Sequence, residues 1–345
     1  MSAAIQRIGL LRGGIFFVLL IAIPLVGAPG WVLNTLIFTL MYAALASSWN
    51  LVGGYAGYPS LGHVAFFGIG AYAIGILFST DVYGGYLPFF VLPLVGIVVG
   101  LLSLPIGWVS MRTRADVFAI VTITLLFITQ TLAFNLKNVT GGAQGTSVAP
   151  APFGVDHYDW PFYFAMLILL AIAMAISYYF QRSKIGLSLA TIRADEDKAH
   201  GVGVRVTAVK LIAFGVSAGL VAMAGGAWAY YVGFIYPQFA VDPLITIGMV
   251  LMAFLGGRAT LWGPVLGAFI LVPAQEYFAQ ALGASQLYLF AYAAVFLLII
   301  LLLPRGILPS ISERRRKRQA MIAAQEAFVA EEAASVSAAE VMVER

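Results

Sequence analysis

The side chains that could act as nucleophiles, metal ligands or acid–base groups are few and lie far apart. The 345 residues include no cysteine, which excludes disulfides, thiolate metal sites and Cys nucleophiles. His63, His157 and His200 stand in three different regions. The sequence has neither a His-Glu-x-x-His motif nor a Gly-x4-Gly-Lys-Ser/Thr loop for ATP. We therefore predict no catalytic residue, no metal site and no cofactor held by this chain.

Glu276 is the one carboxylate placed well within an apolar segment. An ionisable group inside a membrane span is by default a functional hypothesis, because charge is expensive in the bilayer core. Glu276 stands four residues from the end of its segment, 263–280, so it can also reach the membrane interface. It is therefore either an ion-coupling group or an interfacial side chain.

The first of three polar stretches is GGYAGYPSLGH, residues 53–63. Pro59 and the glycines predict the end of one helix, and Ser60 is a candidate N-cap of the next. A helix that begins beside a cavity directs free N–H groups at an anionic ligand, and transporters hold substrate carboxylates with such broken helices. Tyr58, Ser60 and His63 are the candidate substrate contacts. The alternative is an ordinary tight turn at the interface.

The second polar stretch, residues 137–146, opens the predicted outer loop 137–161. Thr140, Gly141 and Gly142 lie in it. Such small residues could form an extracellular gate on the substrate pathway, and an unspecialised loop would explain them equally well.

The third stretch is the inner loop 181–210, whose core, residues 187–204, has apolar residues at helical spacing. Gly201 and Gly203 predict the end of this helix. A short amphipathic helix of mixed charge between two spans suits docking to a soluble partner. A solvated interfacial helix is the alternative.

The composition indicates the elements that must position these residues. Apolar residues make up 61% of the chain and charged residues 10%, whereas a soluble domain carries about 25% charged residues. A backbone in lipid must be helical or a closed barrel, and runs such as FFVLLIAIPLV are apolar all round, which favours helices. We predict an all-α, polytopic transmembrane helix bundle of about 8–10 spans. The candidate spans are 14–28, 31–49, 61–78, 89–110, 117–136, 162–180, 211–232, 244–255, 263–280 and 287–303.

Two of these assignments have alternatives. Spans 244–255 and 263–280 could form a re-entrant pair, because the first is short and Gly256, Gly257 and Arg258 follow it directly. The first segment resembles a signal peptide. We interpret it as an uncleaved helix, because the nine further spans do not depend on a removable leader.

The basic residues orient the bundle. With ten spans, Lys137 is the one of the 19 lysines and arginines that falls outside. The positive-inside rule then predicts that both termini are cytoplasmic. Residues 1–310 would form the membrane domain, and residues 311–345 a cytoplasmic tail that is first basic and then acidic. The basic run 314–318 is typical of a stop-transfer cluster that contacts anionic lipid.

Four segments resemble one protein family. They are SLGHVAFFGIGAY (60–72), TGGAQG (140–145), SKIG through ATIRADE (183–196) and GGRATLWGPVLGA (256–268). These segments look like those of the branched-chain amino acid ABC transporter permeases of the LivM type. The similarity spans residues 40–303 and does not cover the tail after Arg318.

The resemblance implies a bacterial inner-membrane importer subunit. Such a subunit pairs with a second, related permease. Two cytoplasmic ATPases bind ATP and Mg and power it, and a periplasmic substrate-binding protein delivers the amino acid. In that family the inner loop forms a coupling helix that fits a groove on the ATPase. The positions that this assigns to ATPase coupling here are Arg193, Asp195, Glu196, Ala199 and Gly203.

The predicted function is therefore a permease subunit of an ATP-driven importer for branched-chain, hydrophobic amino acids. It would work by alternating access, with no ATPase site of its own and no nucleic-acid partner. One alternative is a stand-alone secondary carrier that uses Glu276, and another is the same architecture carrying urea, amides or aromatic acids. A lipid-modifying enzyme would need a cluster of His, Asp or Glu at one membrane depth, and the sequence shows none.

Overall fold

The computed structural model describes residues 3–79, 84–154, 157–282 and 306–313, with the single positions 293, 294, 297, 321 and 325; residues 3–12 are described by their backbone alone. The predicted span 287–303 and the tail 311–345 lie largely outside the described residues.

The described chain is almost wholly helical. The helices are α1 (Ala3–Leu25), α2 (Gly30–Asn50), α3 (His63–Leu77), α4 (Leu87–Ser110), α5 (Ala115–Asn135), α6 (Lys137–Thr140), α7 (Asp159–Arg182), α8 (Lys184–Ala194), α9 (Glu196–Gly201), α10 (Val206–Val232), α11 (Pro237–Ala240), α12 (Pro243–Gly256) and α13 (Gly263–Leu282). A π-helix (Leu51–Ala56) continues α2, and a 3₁₀ turn (Gly142–Gln144) follows α6. Two short strands, β1 (Thr146–Ser147) and β2 (Phe234–Ile235), pair antiparallel with Thr146 opposite Ile235.

Within the described residues, six helical segments are long and apolar enough to cross a membrane. They are Gly30–Ala56, Leu87–Ser110, Ala115–Asn135, Asp159–Arg182, Val206–Val232 and Pro237–Gly256. Gly13–Leu25 and His63–Leu77 are shorter apolar helices. The first nine predicted spans each fall on a helix, so the prediction of a polytopic helix bundle is confirmed.

The centre of the bundle is α10, which packs on α3 and α4. The contact with α3 requires glycine. A Cβ at Gly70 would lie 2.0 Å from the carbonyl oxygen of Ala222, and a Cβ at Gly225 would lie 2.0 Å from that of Phe67. Because lipid is as apolar as leucine, helices in a membrane associate through such close backbone packing.

Hydrogen bonds from the two ends of α10 to neighbouring segments define the two ends of the bundle. At one end, Lys210 Nζ donates to the Met111 carbonyl (2.9 Å). At the other, the Tyr230 hydroxyl donates to the Gly85 carbonyl (2.6 Å). The first end, called here the basic end, carries Arg112, Arg114, Arg182, Lys184, Arg193, Lys198, Arg205, Lys210 and Arg258. The opposite end carries Lys137, so the basic residues that the structure describes segregate between the two ends as the sequence predicts.

Candidate coupling site

A re-entrant segment, residues 57–62, lies at the basic end. The helix formed by α2 and the π-helix ends at Ala56, and Gly57, with φ +77°, reverses the chain. The chain then runs back beside the helix that it has just left, because Trp49 Nε1 donates to the Ser60 carbonyl (2.7 Å). Non-helical backbone at membrane depth is tolerated where protein buries it, and most of this segment is buried or half-buried. The predicted helix break is confirmed.

The start of α3 is capped by other helices. Ser60 is not its N-cap: the helix begins three residues later, and the Ser60 hydroxyl is buried with no partner among the described residues. The N–H groups of Leu61 and Val64 instead donate to the hydroxyls of Thr122 and Thr246, each at 3.0 Å. The predicted cap was wrong because two hydroxyls from distant helices take up donors that sequence proximity assigned to Ser60.

His63 is fully buried at the start of α3. Its Nε2 lies 2.8 Å from the Ser217 hydroxyl oxygen, and that hydroxyl donates to the Ser48 carbonyl (2.6 Å). The Ser217 oxygen therefore accepts from the histidine, which assigns the ring proton to Nε2. Nδ1 is left as a buried acceptor with no partner among the described residues. In this conformation His63 is enclosed by the protein and is not accessible to a substrate.

The other predicted pathway residues lie at the opposite end. The Thr140 hydroxyl donates to the Ala133 carbonyl (2.6 Å) and folds the chain onto the end of α5. Gly141 and Gly142 follow in a tight turn. The structure does not bring these residues together with Tyr58, Ser60 and His63.

The loop between α7 and α10 contains two helices rather than the one predicted over residues 187–204. The chain is extended at Asp195, and the carboxylate there accepts the N–H of Lys198 (3.0 Å), so Asp195 caps α9. Aspartate is a strong N-cap because its side chain satisfies an N–H that has no partner in the helix. The predicted end at Gly201 is confirmed.

Glu196 joins this loop to two other segments. Its Oε1 lies 2.6 Å from Lys210 Nζ in α10, and its Oε2 accepts from the Tyr58 hydroxyl. The same Lys210 Nζ donates to the Met111 carbonyl at the end of α4 and lies 4.1 Å from the centre of the Tyr58 ring. The Lys210 side chain is 1% exposed, and that of Glu196 is 31% exposed. The group Tyr58, Glu196, Lys210 and Met111 is called the Glu196 junction below.

The electrostatics of the junction keep Glu196 ionised. Burial acts to raise its pKa, but the hydrogen bonds from Lys210 and Tyr58 and the charge of Lys210 outweigh it, so the pKa of Glu196 lies below its ordinary value. A buried ammonium needs such a partner, because an unpaired charge away from water is strongly destabilising.

Arg193 connects the end of α8 to the π-helix. Its Nη1 donates to the Gly54 carbonyl (3.0 Å), and Gln181 at the end of α7 donates to the Tyr55 hydroxyl (2.9 Å). Burial and the neighbouring charge of Arg258 lower the pKa of Arg193, although a guanidinium remains protonated in proteins. π-Helices occur frequently at functional sites, and this one contacts the loop directly.

Asn50 fixes the turn 257–262 to the same place. Its Oδ1 accepts from the Ala259 N–H (2.8 Å), and its Nδ2 donates to the Thr260 carbonyl (3.0 Å). The turn 257–262, which separates α12 from α13, therefore holds the start of the π-helix. Its later residues are held by α7 and α8.

Comparison with known proteins assigns the family. Residues 31–303 match the family described as branched-chain amino acid transport system / permease component. The chain belongs to this family. The LivM high-affinity branched-chain amino acid transport system permease of Salmonella typhimurium is 29% identical over 301 residues, 79% of this chain and 68% of the relative. The LivM protein of Escherichia coli is 28% identical over 322 residues, 85% of this chain and 73% of the relative.

The relatives of this chain are named for more than one kind of transported substrate. The autoinducer 2 import system permease LsrC of Yersinia pseudotuberculosis is 29% identical over 126 residues, 35% of this chain and 34% of the relative. No solved structure matches the chain. Its family and its apolar helices make this permease a multi-pass protein of the bacterial inner membrane.

The remaining predicted residues of the permease have distinct surroundings. Asp195 pairs with Lys198 (2.9 Å), whose side chain is 83% exposed, and such surface pairs contribute little. Ala199 is fully buried, and Gly203 has φ +83° in the turn after α9. Glu276 is exposed and accepts from Gln280 Nε2 (3.3 Å). Among the residues that the structure describes, no three His, Cys, Asp or Glu side chains are placed to hold a metal ion.

Sequence reasoning missed Lys210, Asn50, Thr122 and Thr246. Asn50 carried a signal, since it is an amide at the end of an apolar span beside two glycines. Lys210 carried no such signal in the sequence, because a lysine at the end of a basic loop is usually solvent-exposed. Its burial follows from the tertiary position of Met111 and Tyr58.

Proposed function

We propose that this chain is the membrane-spanning permease subunit of an ATP-driven importer of branched-chain amino acids. Family membership supports this, and so do the names of the two relatives that match most of its length. Its partners would be a second, related permease, two cytoplasmic ATP-binding subunits and a periplasmic substrate-binding protein. ATP and Mg would be bound by the ATPases, since this sequence has no phosphate-binding loop of the Gly-x4-Gly-Lys-Ser/Thr type.

The Glu196 junction is the observation that carries the proposal. Glu196 belongs to the loop that would dock on an ATPase, and Tyr58 belongs to the re-entrant segment that precedes α3. A direct hydrogen bond joins them. A displacement of the loop must therefore either move the re-entrant segment or break the bond.

The mechanism proposed is alternating access. ATP binding closes the ATPases and moves the loop. Glu196 then pulls Tyr58, and Arg193 pulls the π-helix through the Gly54 carbonyl. Hydrolysis resets the arrangement. The amino acid would pass between this chain and its paired permease, along Tyr58, Ser60 and His63 at the basic end and past Thr140, Gly141 and Gly142 at the other.

The five proposed coupling residues would have two different roles. Arg193 and Glu196 transmit the movement inward, because both contact the interior of the bundle. Asp195, Ala199 and Gly203 shape the loop through a helix cap, a buried contact and a turn. The ATPase groove would receive the exposed apolar side chains of this loop, Leu187 and Val202, which are 71% and 73% exposed.

The test compares Glu196→Gln with the matched variant Glu276→Gln in the reconstituted complex. Glu196→Gln should retain ATP hydrolysis and lose at least tenfold in uptake per ATP, a loss of about 1.4 kcal/mol of coupling. Glu276→Gln should change neither quantity, because its carboxylate is exposed and far from the junction. Normal uptake per ATP in Glu196→Gln would refute the coupling role.

The same pair separates the importer from a secondary carrier. If Glu276→Gln abolished uptake, and if the purified chain alone took up substrate along a proton or sodium gradient without ATP, the carrier would be correct. The identity of the transported substrate is tested by a ligand-binding assay on the substrate-binding protein encoded beside this permease. That protein should bind leucine, isoleucine or valine in preference to urea, amides or aromatic acids.

A further inference from the structure

A cavity of about 920 Å³ lies at the basic end between α1, α7 and α8, and the π-helix and the turn 257–262 complete its wall. The two long helices touch near the opposite end, where the Tyr163 hydroxyl donates to the Leu20 carbonyl (2.8 Å). Toward the basic end they diverge, and a Cβ added at Gly14 would meet nothing within 4 Å. The cavity occupies this gap.

The lining of the cavity changes along α7 from apolar to cationic. Phe17, Ala171 and Met174 line its deep part, and Tyr178, Arg182 and Arg193 line its shallow part. Ala175 is also in the lining and is exposed. It precedes Arg182 by seven residues, or about 10 Å along a helix, so an accessible part of the lining lies at membrane depth.

The cationic part of the cavity has no carboxylate among its lining residues, because none of the side chains that line the cavity is an aspartate or a glutamate. Arg182 lies over the Tyr178 ring, 5.0 Å from its centre, and Arg193 donates to a carbonyl. Two guanidinium groups thus face one cavity without a carboxylate, and guanidinium is the side chain that best matches phosphate geometry.

We propose that this cavity binds one anionic phospholipid, with its phosphate between Arg182 and Arg193 and its acyl chains along Phe17 and Met174. A free phosphate would leave the deep apolar part unfilled, whereas a phospholipid matches both parts. The proposal rests on the function proposed above, which places the basic end at the cytoplasmic ATPases. Anionic lipid is concentrated at the cytoplasmic surface, where basic pockets between helices bind its headgroups. The bound lipid would hold Arg193 at the π-helix and so fix the position of the inner loop 181–210 relative to the membrane.

The experiment titrates phosphatidylglycerol against the full-length chain in detergent and counts bound lipid by native mass spectrometry. The native chain should retain one phosphatidylglycerol in preference to phosphatidylcholine. Arg182→Gln/Arg193→Gln should weaken this binding at least tenfold. The matched control is Arg112→Gln/Arg205→Gln, which removes the same charge at the same end outside the cavity and should change affinity less than twofold.

A second variant keeps every charge. Gly14→Leu places a side chain in the open space of the deep part and should also displace the lipid, with the unfolding temperature of the native chain retained. Equal losses in the two arginine pairs, no loss in Gly14→Leu, or equal retention of phosphatidylcholine would each overturn the proposal. Displacement by millimolar inorganic phosphate would overturn it in favour of a free-anion site, and displacement by leucine in favour of a substrate site.

This assay needs neither ATPase nor transport. Loss of lipid binding with normal coupling, or loss of coupling with normal lipid binding, therefore distinguishes failure of this proposal from failure of the proposed function.

Discussion

At the scale of single residues, the buried lysine of α10 explains the architecture of the basic end. Lys210 has an ammonium that is away from water and therefore needs several acceptors. The ammonium donates to the Glu196 carboxylate and to the Met111 carbonyl, and the Tyr58 ring covers it. Four segments distant in sequence are held by one positive charge, which makes the junction sensitive to any change in that charge or in its carboxylate partner.

The stability supplied by the junction should depend on pH. The folded-state pKa of Glu196 lies below its ordinary value of 4.5. Its contribution is therefore present above about pH 4.5 and is lost as the pH falls through the lower, folded-state pKa. We expect Glu196→Gln to be about 1–3 kcal/mol less stable than the native chain near neutral pH, with this gap closing in acid. Thermal unfolding of both proteins in detergent across that pH range measures the gap.

Glu276→Gln is the control for this pH series. Its carboxylate is exposed, so it should differ little from the native chain at every pH. A gap between native and Glu196→Gln that widened on acidification would show that the paired, ionised form of Glu196 is not the stabilising one.

At the scale of elements, the packing of α3 on α10 depends on backbone contact. Gly225 lies in α10 where a Cβ would meet the Phe67 carbonyl oxygen at 2.0 Å. Since that atom belongs to the backbone of α3, it cannot turn aside as a side chain could. The re-entrant segment leads into α3, so a displaced α3 also displaces the predicted pathway residues.

Gly225→Ala should therefore destabilise the bundle. We expect a loss of about 1–3 kcal/mol or more, the range for overpacked cores, read as a lower unfolding temperature of the purified chain. Gly14→Ala is the matched control: it also adds one methyl group within an apolar helix, and nothing lies within 4 Å of it. If the two variants unfolded at the same temperature, the close approach of α3 to α10 would not be a determinant of stability.

The elements were largely predictable, and their junctions were not. Apolar runs predict helices because lipid leaves the backbone no other partner, so the first nine spans fall on helices. The break at Pro59 was also predictable. The split of α8 from α9 at Asp195, and the capping of α3 by Thr122 and Thr246, were not. They depend on hydroxyls and carboxylates brought together by tertiary packing, and a single sequence carries no signal of such distances.

The candidate site shows the same division. The resemblance of the loop to ABC permeases directs attention to Arg193 and Glu196, and both contact the bundle interior. Their partners, the Gly54 carbonyl and Lys210, could not be predicted. One is a backbone atom of a π-helix, and the other is a lysine whose burial is set by three different segments.

At the scale of the whole molecule, the segregation of charge gives the bundle one preferred orientation. The basic residues of several loops meet at one end, where hydrogen bonds join those loops. A single helix hairpin cannot invert without breaking these bonds. The orientation is therefore a property of the entire bundle, and a test at two positions decides it for all the described loops.

The chain contains no cysteine, so single-cysteine variants can be made without removing native thiols. Lys137→Cys lies at the opposite end and Arg112→Cys at the basic end, and both side chains are exposed. Because basic loops remain in the cytoplasm, a membrane-impermeant maleimide should label position 137 in intact cells and label position 112 only after permeabilisation. Labelling of position 112 from outside would place the inner loop 181–210 on the side of the membrane away from the proposed cytoplasmic ATPases. The Glu196 junction could then not couple ATP hydrolysis to transport, whatever its geometry.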